Sequence, residues 1–327
     1  MGQEILRASN ITKTYGDKVI LNNISFDVIE GEILGVIGSS GSGKTTLLHS
    51  IIGFLRPDGG DVKFRQRHLV AGSEDAEEVY GSIYKKKNDF KHIFGFAAQV
   101  PSFYEKLTVV ENLKYFGDLY GLSKESLNAN INTLLSMVNL ENSANQLGKN
   151  LSGGMERRLD IACSLIHNPS ILLLDEPTAD LDPILRNNIW NLIQKINNKG
   201  TTVILSSHHL NELETLCNRI AIIMNGKLLD LGTPDELKEK YLKNHDIIIQ
   251  TYPANYEELT KKIKAKLDKK LSNIRIEGNE LVVSVEKPQE VLNDMIKIIE
   301  REKEKILELK LIKPNLDQMF ISINQKK

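Results

Sequence analysis

Eight residues constrain this chain more than any others: Gly38-Ser39-Ser40-Gly41-Ser42-Gly43-Lys44-Thr45. The run is a glycine, four free positions and then Gly-Lys-Thr, the pattern of a loop that cradles phosphate. Ile33-Leu34-Gly35-Val36-Ile37 before it reads as a buried strand, and Thr46-Leu47-Leu48-His49-Ser50-Ile51-Ile52 after it reads as a helix. Glycines remove Cβ atoms, so backbone N–H groups can turn inward around phosphate oxygens. The helix N-terminus adds its dipole at the same point. Residues Gly38 to Thr46 then form the binding loop, with Lys44 reaching the β- and γ-phosphates and the Thr45 hydroxyl ligating Mg²⁺. A Gly/Ser-rich turn that matches by chance is the bland alternative. The strand before and the helix after weigh against it, and the motif alone names only a binder of nucleotide phosphates.

With 327 residues, one large domain or two is expected. An apolar fraction of 41% and a charged fraction of 26% are those of an ordinary globular chain. A formal net charge of −1 gives no general attraction to nucleic acid, and from residue 244 onward 16 Lys and Arg face 14 Asp and Glu. Cys163 and Cys217 lie in apolar helical patterns and read as buried free thiols, compatible with a reducing compartment. Met1-Gly2-Gln3-Glu4-Ile5-Leu6 has neither the basic start nor the apolar core of a signal peptide, and position 6 lacks the Ser or Thr of a myristoylation site. No apolar run approaches the ~20 residues that span a bilayer. Work at a membrane would therefore need a second chain for the membrane part.

Along the chain, Ile5 to Ile11 and Val19 to Ile29 read as strands, with Tyr15 in the loop between them. Two readings stand for Tyr15: a ring that stacks on adenine, or a loop tyrosine packed on its own hairpin. Residues 61–91 alternate basic and acidic clusters and read as a solvated excursion, with a partner-binding patch as the weaker alternative. Ile93 to Ala98 reads as a buried strand ending at Gln99, followed by the loop Pro101-Ser102-Phe103-Tyr104. Its two aromatics are either an interface anchor or part of a local core. Thr108-Val109-Val110-Glu111 is a capping box, and a second helix from about Lys124 to Asn139 completes a helical insertion. Leu151-Ser152-Gly153-Gly154 precedes a helix running to His167. Ile171 to Leu174 reads as a central parallel strand ending in Asp175 and Glu176, and ligands gather at such carboxyl ends. Asp182-Pro183 caps the next helix, Thr201 to Ser206 is a further strand leading to Ser207-His208-His209, and Asn225-Gly226 turns a hairpin. After about Leu242 the order β-α-β-β-α-β predicts a small ferredoxin-like domain.

Taken together these pieces resemble the ATP-binding-cassette (ABC) ATPases over about residues 4–242. The phosphate loop stands at Gly38–Thr45, the aromatic loop at Tyr15 and the glutamine loop at Gln99. The signature Leu-Ser-Gly-Gly-Gln stands here as Leu151-Ser152-Gly153-Gly154-Met155, the acid pair at Asp175-Glu176, the dimer loop at Ala179-Asp180-Leu181-Asp182 and the switch histidine at His208. The spacing after the strand favours His208 over His209, which reads as an ordinary polar residue at a helix start. A lone Leu-Ser-Gly-Gly is weak; in this order, between a phosphate loop and an acid pair, it is highly specific. Met155 replaces the usual Gln, and the 61–91 excursion is longer than the family core has there.

The resemblance implies an α/β fold: a P-loop NTPase core with an antiparallel N-terminal β-subdomain and a helical insertion at about 101–168, together forming a nucleotide-binding domain at 1–242. A small α+β accessory domain follows at 243–327. It implies ATP and Mg²⁺ as ligands, the metal held by Thr45, Asp175 and Gln99. Glu176 would be the general base, with His208 and Gln99 beside the γ-phosphate. Ser152, Gly153 and Gly154 would bind ATP held by the opposite subunit of a head-to-tail dimer, either two copies of this chain or this chain with another ABC ATPase. The partner implied is a separate transmembrane permease, with the chain held through it at the cytoplasmic face of the cell membrane. Ser-Gly-Gly-Met followed by Glu156-Arg157-Arg158, and the tail Lys313-Pro314-Asn315-Leu316-Asp317-Gln318-Met319-Phe320, are similar to the drug- and antibiotic-export branch. The bland reading of that tail is an edge segment docked by Leu316 and Phe320. The alternatives are a soluble ABC ATPase doing mechanical work on the ribosome or DNA, and an importer ATPase.

Overall fold

Uninterrupted apolar runs become buried parallel strands and alternating runs become half-exposed antiparallel ones in the computed structural model, which describes residues 2–69, 76–85, 90–208, 210–241, 244–312, 316 and 319–320. The chain divides into two units, Met1–Thr233 and Pro234–Lys327. The sequence reading set its boundary later, between 242 and 243.

In the first unit, β1 (Glu4–Tyr15) and β2 (Lys18–Ile29) form a long hairpin. β3 (Ile33–Ile37) is buried at every residue and feeds α1 (Lys44–Ile51). β4 (Gly59–Leu69) and β5 (Ala76–Ser82) follow, then β6 (Phe94–Ala97). Three helices come next: α2 (Val109–Leu119), α3 (Lys124–Met137) and α4 (Gly153–Leu165). The unit closes with β7 (Ile171–Asp175), α5 (Pro183–Asn198), β8 (Thr202–Ser206), α6 (Leu210–Leu216), β9 (Arg219–Met224) and β10 (Lys227–Gly232).

The central sheet has the order β10-β9-β3-β8-β7-β6, with β9, β3, β8, β7 and β6 parallel and β10 antiparallel at one edge. A second, antiparallel sheet has the order β2-β1-β4-β5. Leu47, Leu48 and Ile51 of α1 share one apolar cluster with Ile24, Phe26, Val62 and Phe64 of that sheet and Leu173 and Ile204 of the central one. The helix behind the phosphate loop is therefore packed between two sheets. Within the excursion read at 61–91, residues 61–69 and 76–82 belong to the strands β4 and β5. Val62 and Phe64 alternate with Lys63 and Arg65, and the period of two places Phe64 opposite Leu6 in the sheet.

The helical insertion is built from strong local signals. The Glu111 N–H donates to Thr108 Oγ1 (3.2 Å) while the Thr108 N–H donates to Glu111 Oε2 (2.7 Å), closing the capping box of α2. Leu113, Leu127, Ile131, Leu134 and Leu159 are buried along α2, α3 and α4. Both cysteines are free and buried.

The second unit contains α7 (Pro234–Tyr241), β11 (His245–Tyr252), α8 (Tyr256–Leu267), β12 (Leu271–Glu277), β13 (Glu280–Val285), α9 (Leu292–Arg301) and β14 (Lys305–Ile312). Its sheet order, β12-β13-β11-β14, antiparallel throughout, is the ferredoxin-like arrangement. Ile247, Ile249 and Val283 of the sheet share a core with Leu259 and Ile263 of α8 and Met295 and Ile299 of α9. In the tail motif, Leu316 and Met319 are buried and Phe320 is half-buried, while Lys313, Pro314, Asn315, Asp317 and Gln318 lie outside the described residues, as does His209.

One histidine ties the insertion to the sheet. His167, just past α4, is buried, bonds through Nε2 to the Phe94 carbonyl (3.1 Å) and stacks on Tyr120 at 3.6 Å between ring centroids. Burial pushes its pKa down to about 4. An unfolded chain protonates the same ring near pH ~6.5, so across the intervening window the unfolded state binds the extra proton. Stability is expected to fall on acidification through that window, by up to about 1.4 kcal/mol per pH unit. The check is a pair of urea midpoints, at about pH 7 and about pH 5; their difference should shrink in His167→Gln.

Candidate active site

Because β3, β6, β7 and β8 run parallel, their carboxyl ends share one edge of the sheet. Along that edge the chain leaves the apolar core and polar groups can collect.

The phosphate loop leaves β3. Gly43 has φ 105°, and a Cβ there would lie 2.8 Å from Leu21 Cδ2 and 2.9 Å from the Ile20 carbonyl oxygen. Gly38 has no room either, since a Cβ would overlap the Ile223 carbonyl oxygen and Ser42 Oγ. Both glycines are thus required by close approach, and Gly43 by its angle as well. The Ser42 N–H donates to Ser39 O at 3.1 Å. Ser42 Oγ is buried without a hydrogen-bond partner, a polar atom inside the cradle that a phosphate oxygen would satisfy. Lys44 arches back over the loop, its ammonium donating to Gly38 O (2.9 Å) and Ser39 O (3.3 Å). Thr45 is exposed in the first turn of α1, and Thr46 is half-buried beside it.

The acids come from β7 and are held by its neighbour β8. Asp175 is buried, and the Ser206 hydroxyl donates to its Oδ1 at 2.5 Å. Glu176 has φ 48°, a left-handed backbone, and its N–H donates to Ser206 Oγ at 3.0 Å. Its side chain gathers the other groups: Oε2 lies 2.8 Å from His208 Nδ1 and accepts the His208 N–H at 3.3 Å, and Oε1 lies 3.9 Å from Lys44 Nζ. Three residues that follow the neighbouring strands β3, β7 and β8 thus form one cluster. Among the described residues no group of three or more His, Cys, Asp or Glu stands ready to hold a metal. Thr45 and Asp175 offer one hydroxyl and one carboxylate, a sparse oxygen set that suits Mg²⁺, which keeps waters and phosphate oxygens as its other ligands.

The remaining predicted residues lie around this cluster. Gln99 is exposed just past β6. Tyr15 is 54% exposed at the end of β1, with the Lys13 ammonium 5.6 Å from its ring centroid. Ser152 is the N-cap of α4 but makes no side-chain capping bond, and Ser152 and Gly153 are exposed. Gly154 is buried against α5, where a Cβ would lie 2.8 Å from Leu185 Cδ2. These three residues open α4, whose first N–H groups have no intrahelical partner.

A cavity of about 710 Å³ lies beside Gln99, lined by Phe54, Phe90, Phe96, Phe116 and Tyr120, with Asp160 and Ser102 at its polar side. The two loop aromatics singled out in the sequence do not line it. Phe103 is half-buried against Gly148, and Tyr104 lies over α2, its hydroxyl 3.1 Å from that of Tyr115.

Two residues escaped the sequence reading. Ser206 bridges Asp175 and Glu176; its only signal was a polar residue closing an apolar strand. Arg157, buried on α4, donates from Nη1 to Ala98 O (2.6 Å) and from Nη2 to Gln99 O (3.1 Å) and Glu176 O (2.9 Å). Its signal was an i,i+3 pair of opposite charges, Arg157 and Asp160, set among apolar residues.

Residues 21–179 match the family described as ABC transporter. The chain is 31% identical to the linearmycin resistance ATP-binding protein LnrL of Bacillus subtilis (strain 168), over 98% of each chain. It is also 31% identical to the Nod factor export ATP-binding protein I of Rhizobium sp. (strain N33), over 89% of each. Among solved structures, an ATP-binding cassette of an ABC transporter in its ADP conformation superposes with a TM-score of 0.63 at 26% identity, covering 73% of this chain and 95% of that one. A dimeric cassette in a post-hydrolysis state with ADP and Pi superposes with a TM-score of 0.58 at 28% identity, covering 70% and 98%. The chain belongs to the ABC transporter family and is an ATP-binding, ATP-hydrolysing subunit of an ABC transporter. Among the described residues no helix is long and apolar enough to cross a membrane.

Ser206→Ala should leave the Asp175 carboxylate and the Glu176 N–H each short of a buried partner. A loss of about 1–3 kcal/mol is expected in urea unfolding, together with reduced ATP turnover.

Proposed function

We propose that this chain is the ATPase of an exporter, that it powers a separate membrane permease by closing a dimer over ATP, and that the Lys44–Glu176–His208 cluster is its hydrolytic centre. The observation that carries the reading is the 2.8 Å contact between Glu176 and His208 with the Lys44 ammonium 3.9 Å from the same carboxylate. Lys44 and the loop N–H groups from Gly38 to Thr46 hold the β- and γ-phosphates, and Tyr15 stacks on adenine. Thr45, Asp175 and Gln99 hold Mg²⁺, which when bound neutralises charge on the phosphates. Glu176 takes a proton from water as the water oxygen bonds to the γ-phosphorus; the bond from that phosphorus to the bridging oxygen breaks, and ADP leaves. His208 contacts the γ-phosphate and orients that water, and Gln99 registers Mg²⁺ and the γ-phosphate.

Ser152, Gly153 and Gly154 close over the γ-phosphate bound by the opposite subunit, a second copy of this chain or another cassette. The exposure of Ser152 and Gly153 at a helix start supports that role. The aromatic cavity beside Gln99 suits an amphipathic cytoplasmic helix of the permease, which would hold the chain at the cytoplasmic face of the membrane. The catalytic module takes in residues 1–242, with its helical subdomain at about 101–168, and residues 243–327 form an accessory domain. Export is supported by Ser-Gly-Gly-Met with its following basic residues and by the names of the two relatives, one for linearmycin resistance and one for Nod factor export.

Glu176→Gln should retain ATP binding and lose turnover by about a hundredfold or more, the scale of a general base. Mg-ATP should then hold the variant as a dimer in light scattering, because a ligand bound only by the closed state stabilises it. A monomer under those conditions would count against the shared site.

Mixing chains tests the sharing directly. Lys44→Ala chains and Ser152→Arg chains are each expected to be inactive. Their mixed dimer contains one site free of both changes, so part of the turnover should return. No recovery in proven mixed dimers would locate each site within one chain.

A further inference from the structure

We propose that Arg157 is a positioning residue for hydrolysis, a buried guanidinium that fixes the backbone of the base Glu176 and of the Gln99 loop to the helix bearing Ser152, Gly153 and Gly154. The proposal rests on the reading of Glu176 as the base.

β6 and β7 are adjacent, with Ala97 opposite Leu174, and beyond them the ladder stops. Carbonyl groups just past a buried strand end lose their sheet partners and need others. Ala98, Gln99 and Glu176 find them in one side chain, at 2.6, 3.1 and 2.9 Å. A planar fork with several N–H groups can serve three carbonyls beyond two strand ends at once, each N–H in a fixed direction.

Glu176 has the most to gain. It holds φ 48°, a conformation a non-glycine residue keeps only when its neighbours over-determine it. Its N–H is pinned by Ser206, and its C=O accepts from Arg157 at 2.9 Å and from the Ala179 N–H at 3.1 Å. With both flanking peptide groups held, the carboxylate is directed at His208 Nδ1.

Asp160, one turn further along α4, completes the grip. Its Oδ2 lies 3.5 Å from Arg157 Nη1, and its Oδ1 accepts from the Ser102 N–H (2.8 Å) and hydroxyl (3.1 Å). The pair therefore holds the loop from Ala98 to Ser102 at both ends. Burial lowers the Arg157 pKa and raises that of Asp160, and each charge offsets the other. Packing a helix on a sheet does not need two buried charges; apolar residues would do it without the desolvation. Asp160 also faces the aromatic cavity, so the same pair links that cavity to the base.

The test uses the full-length chain with four measurements. Arg157→Met keeps the length of the side chain and removes every donor. Its kcat for ATP should fall at least tenfold while the equilibrium Kd for ATP stays within twofold, because the phosphate loop hangs from other elements. Wild-type turnover in the folded variant would overturn the proposal, as would a Kd rise that matches the loss of kcat. Arg157→Lys keeps the charge and decides the matter if the Met variant does not fold: turnover should be only partly recovered, and full recovery would show the fork to be unnecessary. A mixed dimer separates base positioning from support of the signature. With Arg157→Met and Lys44→Ala in the same chain and a wild-type partner, the remaining site uses the partner's own base. It should turn over like the mixed dimer carrying Lys44→Ala alone; a further loss there would assign Arg157 to the signature instead. Glu176→Gln run alongside isolates the underlying reading, since retained hydrolysis in that variant defeats the assignment of the base whatever Arg157 does.

Discussion

A strand buried on both faces can carry polar chemistry only where it ends. β3, β7 and β8 are buried along their whole lengths, so the groups that can meet a charged ligand appear at their carboxyl termini. Parallel pairing then delivers all those termini to one edge. Gly38 to Thr45 follows β3, Asp175 and Glu176 end β7, Ser206 and His208 end β8, and Gln99 follows β6. The 3.9 Å approach of Lys44 to Glu176 and the 2.8 Å contact of Glu176 with His208 are consequences of that shared edge.

Orientation at this edge comes from backbone held in uncommon conformations. Gly43 is left-handed at a place where β2 leaves no space for a Cβ, and Glu176 keeps its left-handed backbone with Ser206 at its N–H and Arg157 and the Ala179 N–H at its C=O. The loop Ala179-Asp180-Leu181-Asp182 follows the same logic. Asp180 has φ 61°, Asp182 caps α5 by accepting from the Ile184 and Leu185 N–H groups at 2.9 Å, and Arg186 donates to Leu181 O at 3.1 Å. Arg186 and Trp190 also share the carboxylate of Glu212 on α6, the helix that follows His208. Helices on the outside of the sheet are thus wired by charge-assisted hydrogen bonds to the loops that carry the chemistry.

The helical insertion has two working ends. Its aromatic side meets β6 and the end of α1 to form the cavity, and its α4 presents Ser152 and Gly153 to solvent. Arg157 and Asp160 lie between these ends, close to both. The second unit has its own core of sheet and two helices, with Glu304 accepting from the Ala254 and Asn255 N–H groups at 2.8 Å.

By itself the sequence determined whatever depends on neighbours along the chain. The phosphate loop, the acid pair at the end of an apolar run, the capping box at Thr108 and Glu111, the Asp182 cap, the Asn225-Gly226 turn and the β-α-β-β-α-β order were all legible, because spacing within one or two elements sets them. Tertiary structure alone decided which strand ends would be neighbours. Ser206 meets Asp175 because crossovers place β8 beside β7, and no local spacing records that. Arg157 reads as a helix residue until α4 lies across the ends of β6 and β7. Residues 61–69 and 76–82 read as a charged excursion until β1 offers an edge for β4 and β4 one for β5. Phe54 and Phe96, rather than Phe103 and Tyr104, line the aromatic cavity because α1, β6 and α2 converge there. Hydrogen-bond partners and cavity walls are set by proximity in space, which packing of the sheets and helices creates and sequence distance does not.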